Sequence, residues 1–140
     1  MKIYNGEGMI LGRLAARVAK DALLGEEVSV VNCDKIMISG AKQVNFARAK
    51  QKRGWGGHPH RRQTHSRIPN QWFRRSVRGM LPWKQARGKE AYKLIRCYVS
   101  VPGEFTGKEF ITLKDSSVNK LPNLKYVSIG EMCRHLGGKV

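Results

Sequence analysis

Three histidines fall close together in the run HPHRRQTH, at His58, His60 and His65. Imidazoles at that spacing could hold a metal ion or move protons. Zinc sites add cysteine or carboxylate ligands at regular intervals, whereas the neighbours here are Arg61 and Arg62, whose charge opposes a bound dication. A metal-dependent nuclease needs clustered carboxylates, and the surrounding segment offers only Glu90. A nuclease built on His58 or His60 as acid or base finds no nucleophile or acid pair beside it. A different chemistry is suggested by NGEGMILG, where Gly6, Gly8 and Gly12 precede a helical pattern and Asp34 ends the next apolar run. This approaches a dinucleotide-binding fingerprint, with glycines for the phosphates and an acid for the ribose. The spacing is too long, and the chain leaves no room for a substrate domain. The run is therefore read as a glycine-rich turn into a helix, whose N-terminus can still receive a phosphate. No catalytic residue, metal ligand, cofactor or small-molecule substrate is expected.

What remains is charge. The chain of 140 residues carries a formal net charge of +17. Residues 48–96 hold fifteen Lys and Arg and one acid, a net of +14, while the other 91 residues hold twelve bases and nine acids, a net of +3. Such a density repels itself without a counter-charge, so the partner is a polyanion. A membrane surface would need a continuous apolar face, which the Gly, Pro and His residues between Gly54 and Pro69 interrupt. Arginine dominates, and guanidinium pairs bidentately with phosphate and stacks on bases. The candidate RNA contacts in this segment are Arg48, Lys52, Arg53, His58, His60, Arg61, Arg62, Arg67, Arg74, Arg75 and Arg78. Trp55 and Trp83 are placed near RNA, Trp72 and Phe73 in the core or an interface.

A scaffold must position these groups. Hydrophobic residues make up 41% of the chain, and its length suits one domain over residues 1–140. Lys2–Tyr4 reads as a short strand. Leu11, Leu14, Ala15, Val18 and Ala22 recur at helical spacing, with Arg13, Arg17, Lys20 and Asp21 on the other sides and Gly25 as C-cap. The β-branched run Glu27–Cys33 reads as a buried strand, so residues 2–33 are β-α-β with a parallel pair. A short apolar patch ends at Gly40, and residues 41–54 can form a helix with a basic exposed side. Gly54 to Pro69 reads as a loop. The next helix starts at Asn70 as N-cap and stops at Pro82. It places Arg74 and Arg78 on one face with Arg75 beside them, and turns Trp72 and Val77 away. Pro82 throws Trp83 and Lys84 outward, and Gly79 lets RNA backbone approach.

Residues 88–95 suggest a short helix, Arg96–Val101 a strand, and LKYVS a last strand, while EFITLKDSS is ambiguous. Ser128 and Glu131 have capping-box spacing, and Gly137-Gly138 closes that helix. The alternation predicts a three-layer α/β/α fold with a mainly parallel sheet of about four strands and a basic loop/helix insertion. Cys33, Cys97 and Cys133 are odd in number, far apart and set among apolar neighbours, as free thiols of a reducing compartment would be. No apolar stretch is long enough to cross a membrane, and MKIYNGEG has no signal-peptide apolar region, so a cytoplasmic location is expected.

Several runs carry a further signal. GRLAARVAK at Gly12–Lys20, VSVVNCDKIMISGAK at Val28–Lys42 and above all RSVRGMLPWKQARGKEAYKLIRCYV at Arg75–Val99 resemble the large-subunit ribosomal protein L-thirteen family. The tail LKYVSIGEMCRHLGG resembles its archaeal and eukaryotic branch. The resemblance implies an α/β/α domain with a parallel sheet, a structural place in the large ribosomal subunit, binding to large-subunit rRNA during early assembly, and no enzymatic activity. It implies neighbouring ribosomal proteins as partners, no membrane and no homo-oligomer. Carried over by position, it adds Gly12 and Arg13 at the first helix, Arg75, Arg78, Gly79, Met80 and Pro82 in the central motif, and Lys84, Arg87, Gly88 and Lys89 after it. Trp83 departs from the pattern, where a polar residue is expected.

Overall fold

Val28–Val31 is buried along its whole length and forms the middle of a parallel sheet (β2). The computed structural model describes residues 1–55 and 66–140. β1 (Lys2–Asn5) runs parallel to β2, with Lys2 opposite Val28 and Asn5 opposite Val31. β4 (Ile95–Cys97) runs parallel along the other edge of β2, giving the order β1-β2-β4. Outside β1, Ile111 forms a single parallel bridge to Tyr4. Asn5 N–H donates to the Ile111 carbonyl (3.1 Å) and Ile111 N–H to that of Ile3 (2.8 Å). The ambiguous stretch thus fills the fourth sheet position with one residue, because the 3₁₀ turn Lys114–Ser116 then takes the chain away. β3 (Met37–Ser39) pairs antiparallel with β5 (Tyr126–Ser128) in a separate two-stranded sheet.

β4 is shorter than the predicted Arg96–Val101 strand. Its partner β2 ends at Asn32, which adopts a left-handed conformation (φ 57°), and a 3₁₀ turn at Cys33–Lys35 follows. Beyond that point the pairing runs out at Tyr98, whose N–H donates to the Val30 carbonyl at 2.8 Å and whose carbonyl accepts from Cys33 N–H at 3.1 Å.

Alternation along the strands divides the core. Tyr4, Val28, Val30 and Ile95 face a helical layer supplying Leu14, Val18, Phe73, Val77 and Ala91. Ile3 and Val31 face the other way and meet Phe105 and Tyr98. That second covering layer is a 3₁₀ turn, Gly103–Phe105, with the Tyr98 and Phe105 rings edge-on at 5.5 Å.

α1 (Leu11–Leu23) buries Leu14, Ala15, Val18, Ala19 and Ala22, and Gly25 leaves it at φ 87° as its expected terminator. One expectation fails. Asp21 is not on the solvent side but 2% exposed. It accepts the Tyr4 hydroxyl proton and lies 3.4 Å from Lys2 Nζ and 3.6 Å from Arg17 Nε. The helical pattern could not foresee that β1 would bring these donors. Burial, then the hydrogen bond to Asp21, holds the Tyr4 phenol above its ordinary value.

α2 (Lys42–Gly54) packs on α5 (Ile129–His135) through Ala49, Met132 and Leu136. α3 (Pro69–Met80) starts two residues earlier than predicted, cap to cap. Ile68 is its N-cap and Pro69 takes the first helical position, where the missing N–H is no loss. Asn70 lies inside the first turn and donates through Nδ2 to the Cys97 carbonyl (3.4 Å). α4 (Ala86–Lys93) ends before the predicted boundary because Ile95 belongs to β4. α5 follows its predicted signals. Ser128 Oγ accepts from Glu131 N–H at 3.1 Å, and Gly137 (φ 80°) lets Gly138 N–H reach the Cys133 carbonyl at 2.8 Å. The three cysteines are free thiols. Burial pushes Cys133 up to about 11, and a hydrogen bond with Cys97, then burial, raises Cys33.

Candidate nucleic-acid interface

The glycine-rich turn is used by the protein itself. A Cβ on Gly6 would stand 2.7 Å from Ile36 Cγ1 and 2.9 Å from the Val31 carbonyl oxygen. Gly6 N–H donates to Val31, Gly8 N–H to Lys35 and Ile10 N–H to Ser116 (2.9, 3.3 and 2.7 Å). These backbone partners occupy the N–H groups of Gly6, Gly8 and Ile10 ahead of α1, so the turn serves the packing of the sheet.

The basic segment is organised by α3. Phe73 and Val77 are fully buried, so the helix turns its other sides outward. Trp72 is half-buried and packs against two core clusters, as expected of an anchor. Arg74 and Arg78, four residues apart, sit on one flank. The Arg74 guanidinium lies 4.5 Å from the Tyr92 ring centroid, and that of Arg78 lies 4.2 Å from the Trp83 centroid. Trp83 and Tyr92 meet edge-on at 5.2 Å. Trp83 is therefore half-buried under an arginine, a support for that cation as well as a neighbour of the cleft. Ring faces attract guanidinium without neutralising it, so the charge remains available to an anion.

Two open clefts flank α3. One, of about 620 Å³, is bordered by Arg75, Arg78, Gly79, Trp83 and Tyr92. The other, of about 410 Å³, lies between α2 and α3, with Arg48, Lys52 and Arg75 at its edge and Trp72, Ile38 and Met132 in its floor. Asn45, Ser66 and Ser76 add hydrogen-bonding groups to the second cleft. Arg75 is shared by both. Basic rims over aromatic floors suit the phosphates and unpaired bases of RNA.

Other predicted residues have different places. Arg53 Nη1 donates to the Leu136 carbonyl (2.9 Å) and Arg67 Nη1 to that of Gly137 (3.2 Å). Both thus hold the C-terminal end of α5, where the helix dipole favours cations. Lys84, Arg87 and Lys89 are exposed around α4, with Arg87 Nε on Gln85 Oε1 at 3.0 Å. Gly88 is a packing residue, since a Cβ there would stand 2.2 Å from the Pro82 carbonyl oxygen. Arg13 belongs to neither cleft. It lies on α1 and donates to the Asp115 carbonyl at 3.1 Å. Trp55 is 59% exposed at the end of α2. His58, His60, His65, Arg61 and Arg62, and most of the predicted loop Gly54 to Pro69, lie outside the described residues. Among the described residues no group of His, Cys, Asp or Glu is arranged to hold a metal ion.

Tyr92, Gln71 and Asn45 were not singled out by sequence. Nothing in their local spacing marks them: Gln71 shares α3 with Arg75 and Arg78, and the packing of α4 and α2 on α3 brings Tyr92 and Asn45 to the clefts.

A family model described as Ribosomal protein L13 matches residues 1–104, a span that includes every residue bordering the Arg78–Trp83 cleft. The chain is 40% identical over 142 residues to the large ribosomal subunit protein uL13 of Methanococcoides burtonii, covering 99% of both chains. It is 40% identical over 136 residues to the protein of that name from Archaeoglobus fulgidus, covering 96% of this chain and 86% of the relative. It is 39% identical over 140 residues to that of Aeropyrum pernix, covering 98% and 90%.

Proposed function

The chain belongs to the ribosomal protein L13 family, whose members are structural, non-enzymatic components of the large ribosomal subunit, and from that membership we propose how it holds rRNA. Its cations on α2, α3 and α4 grip large-subunit rRNA during early assembly. The carrying observation is that Arg74 and Arg78 are held on aromatic rings, which leaves their charge to attract phosphate. Arg48, Lys52, Arg75 and Lys84 extend this surface, and Arg87, Lys89 and Trp55 lie at its margin. Arg53 and Arg67 act by fixing the two ends of the segment between them to α5. Arg13 serves a separate contact from α1.

The remaining surface meets neighbouring large-subunit proteins, and the chain works as one domain in the cytoplasmic ribosome, not as a homo-oligomer and not at a membrane. Among the described residues no helix is long and apolar enough to cross a bilayer. The test is binding to large-subunit rRNA fragments at two salt concentrations. With about 6–10 phosphates engaged, affinity should fall by roughly 10³–10⁵ between about 50 and 200 mM salt, on a scale calibrated for duplex DNA. Salt-independent binding, or none, would contradict the reading.

A further inference from the structure

Most glycines of this chain have an internal reason. Gly6, Gly88 and Gly138 have no room for a Cβ, and Gly8, Gly25, Gly40, Gly107 and Gly137 have positive φ. Gly79, like Gly12 and Gly54 in the other helices, has neither reason: it is helical, and no atom lies within 4 Å of where its Cβ would be. It is not a terminating glycine either, because α3 ends through Leu81 in an extended conformation (φ −95°, ψ 149°). Glycine is the poorest helix former after proline, so the protein alone gives no cause for it.

The backbone beside Gly79 carries a second peculiarity. A helix leaves its last carbonyls without intrahelical donors. Here Leu81 N–H returns to the Arg78 carbonyl (3.2 Å), Pro82 has no N–H to give, and Trp83 N–H turns to the Leu81 carbonyl (2.8 Å). The carbonyls of Gly79 and Met80 are thus left by their nearest downstream N–H groups at an exposed helix end. Arg75 and Arg78 border the same cleft, with Arg78 fixed on Trp83. Negative carbonyls repel a phosphate placed directly on them and attract a hydroxyl donor. The matching ligand therefore offers a hydroxyl close to two anionic groups and comes nearer than a Cβ would permit.

We infer that Gly79 is a seat for one ribose of the bound RNA, its 2′-hydroxyl donating to the last carbonyls of α3 and its flanking phosphates lying on Arg75 and Arg78. The 2′-hydroxyl is the group by which a protein tells RNA from DNA, so this position selects the sugar and the guanidiniums supply affinity. The inference rests on the rRNA reading above and adds to it a sugar-specific contact.

The test compares the intact protein with its Gly79→Ala variant. The probes are the tightest-binding large-subunit rRNA fragment and the same fragment made 2′-deoxy at the nucleotides that the protein shields from hydroxyl radicals. A hydroxyl-to-carbonyl hydrogen bond corresponds to about three- to tenfold in affinity. The intact protein should favour the ribose fragment by about that factor, and Gly79→Ala should lose that preference, binding the ribose fragment no better than the deoxy one. The variant's melting temperature should be equal or higher, since alanine is the better helix former. Equal preference for the sugar in both proteins, or the same loss on both fragments, would overturn the ribose seat. Failure of the intact protein to bind any rRNA fragment would overturn the rRNA reading and this seat with it.

Discussion

At the β1–α1 corner, Asp21 and Glu26 gather Lys2 and Arg17 within 2.8–3.6 Å. Lys35 pairs with Glu7 at 2.9 Å and Lys120 with Asp115 at 2.7 Å in the same manner. On the α3–α4 side, Arg74 and Arg78 lie on Tyr92 and Trp83, and on the α5 side Arg53 and Arg67 donate to main-chain carbonyls. A carboxylate cancels a cation, whereas a ring or a carbonyl only orients it. The first region is electrostatically closed. The second is shaped but still charged, which suits a surface completed by phosphates.

The largest effect should come from reversing charge in the second region. Arg75→Glu with Arg78→Glu replaces two attractions by two repulsions. Charge-assisted hydrogen bonds contribute about 1.5–3 kcal/mol each, so rRNA affinity should fall by about 10² or more. Incorporation into large subunits on a sucrose gradient should fall with it. The fold should change by no more than about 1 kcal/mol, the scale of the lost cation–π contact. A double variant that stays folded and incorporates normally would put the RNA on another face.

A change in the first region should do the reverse. Asp21→Ala removes the acceptor of the buried Tyr4 hydroxyl and should destabilise the fold by about 1–3 kcal/mol in denaturant melts. Lys2 and Arg17 are part-exposed, so their lost pairing adds little. Measured on folded protein, rRNA affinity should stay within about twofold of the parent, as expected for sites that do not share partners. A large loss of affinity would show that the two regions are coupled.

A smaller effect follows from the thiols of the core. Burial pushes the Cys133 thiol from an ordinary value of 9.0 up to about 11. A pKa raised by folding gives stability that is complete below the unfolded value and is lost as pH rises through the folded one. Melting temperature should therefore decline between about pH 9 and 11, and Cys133→Ala should flatten part of that decline. An unchanged profile in the variant would remove Cys133 as a cause.

The two regions also differed in how far sequence foretold them. α1, β2 and α5 follow local signals: apolar spacing, a β-branched run, and the Ser128–Glu131 cap, each realised within a few residues. The basic segment was legible as charge, since charge is a property of composition. Its geometry was not. That Arg78 would rest on Trp83, and Arg74 on Tyr92, depends on how α4 returns against α3 across the Pro82 turn. Asp21 stands three residues after Val18 and seven after Leu14, so helical spacing itself puts it on the buried side of α1; what no helical pattern contains is its donors Lys2 and Tyr4, which come from β1. The pairing of β3 with β5 joins residues nearly ninety positions apart and leaves no local trace.

The central claim is that cations oriented without carboxylates, and not cations in general, hold the rRNA. The slope of log affinity against log salt measures it most directly, because each phosphate-bound Lys or Arg contributes about one unit. Arg74→Ala with Arg78→Ala should reduce the slope by about two, while Lys35→Ala with Lys120→Ala, both from ion pairs with carboxylates, should leave it unchanged. Equal slopes for the two double variants would contradict the account.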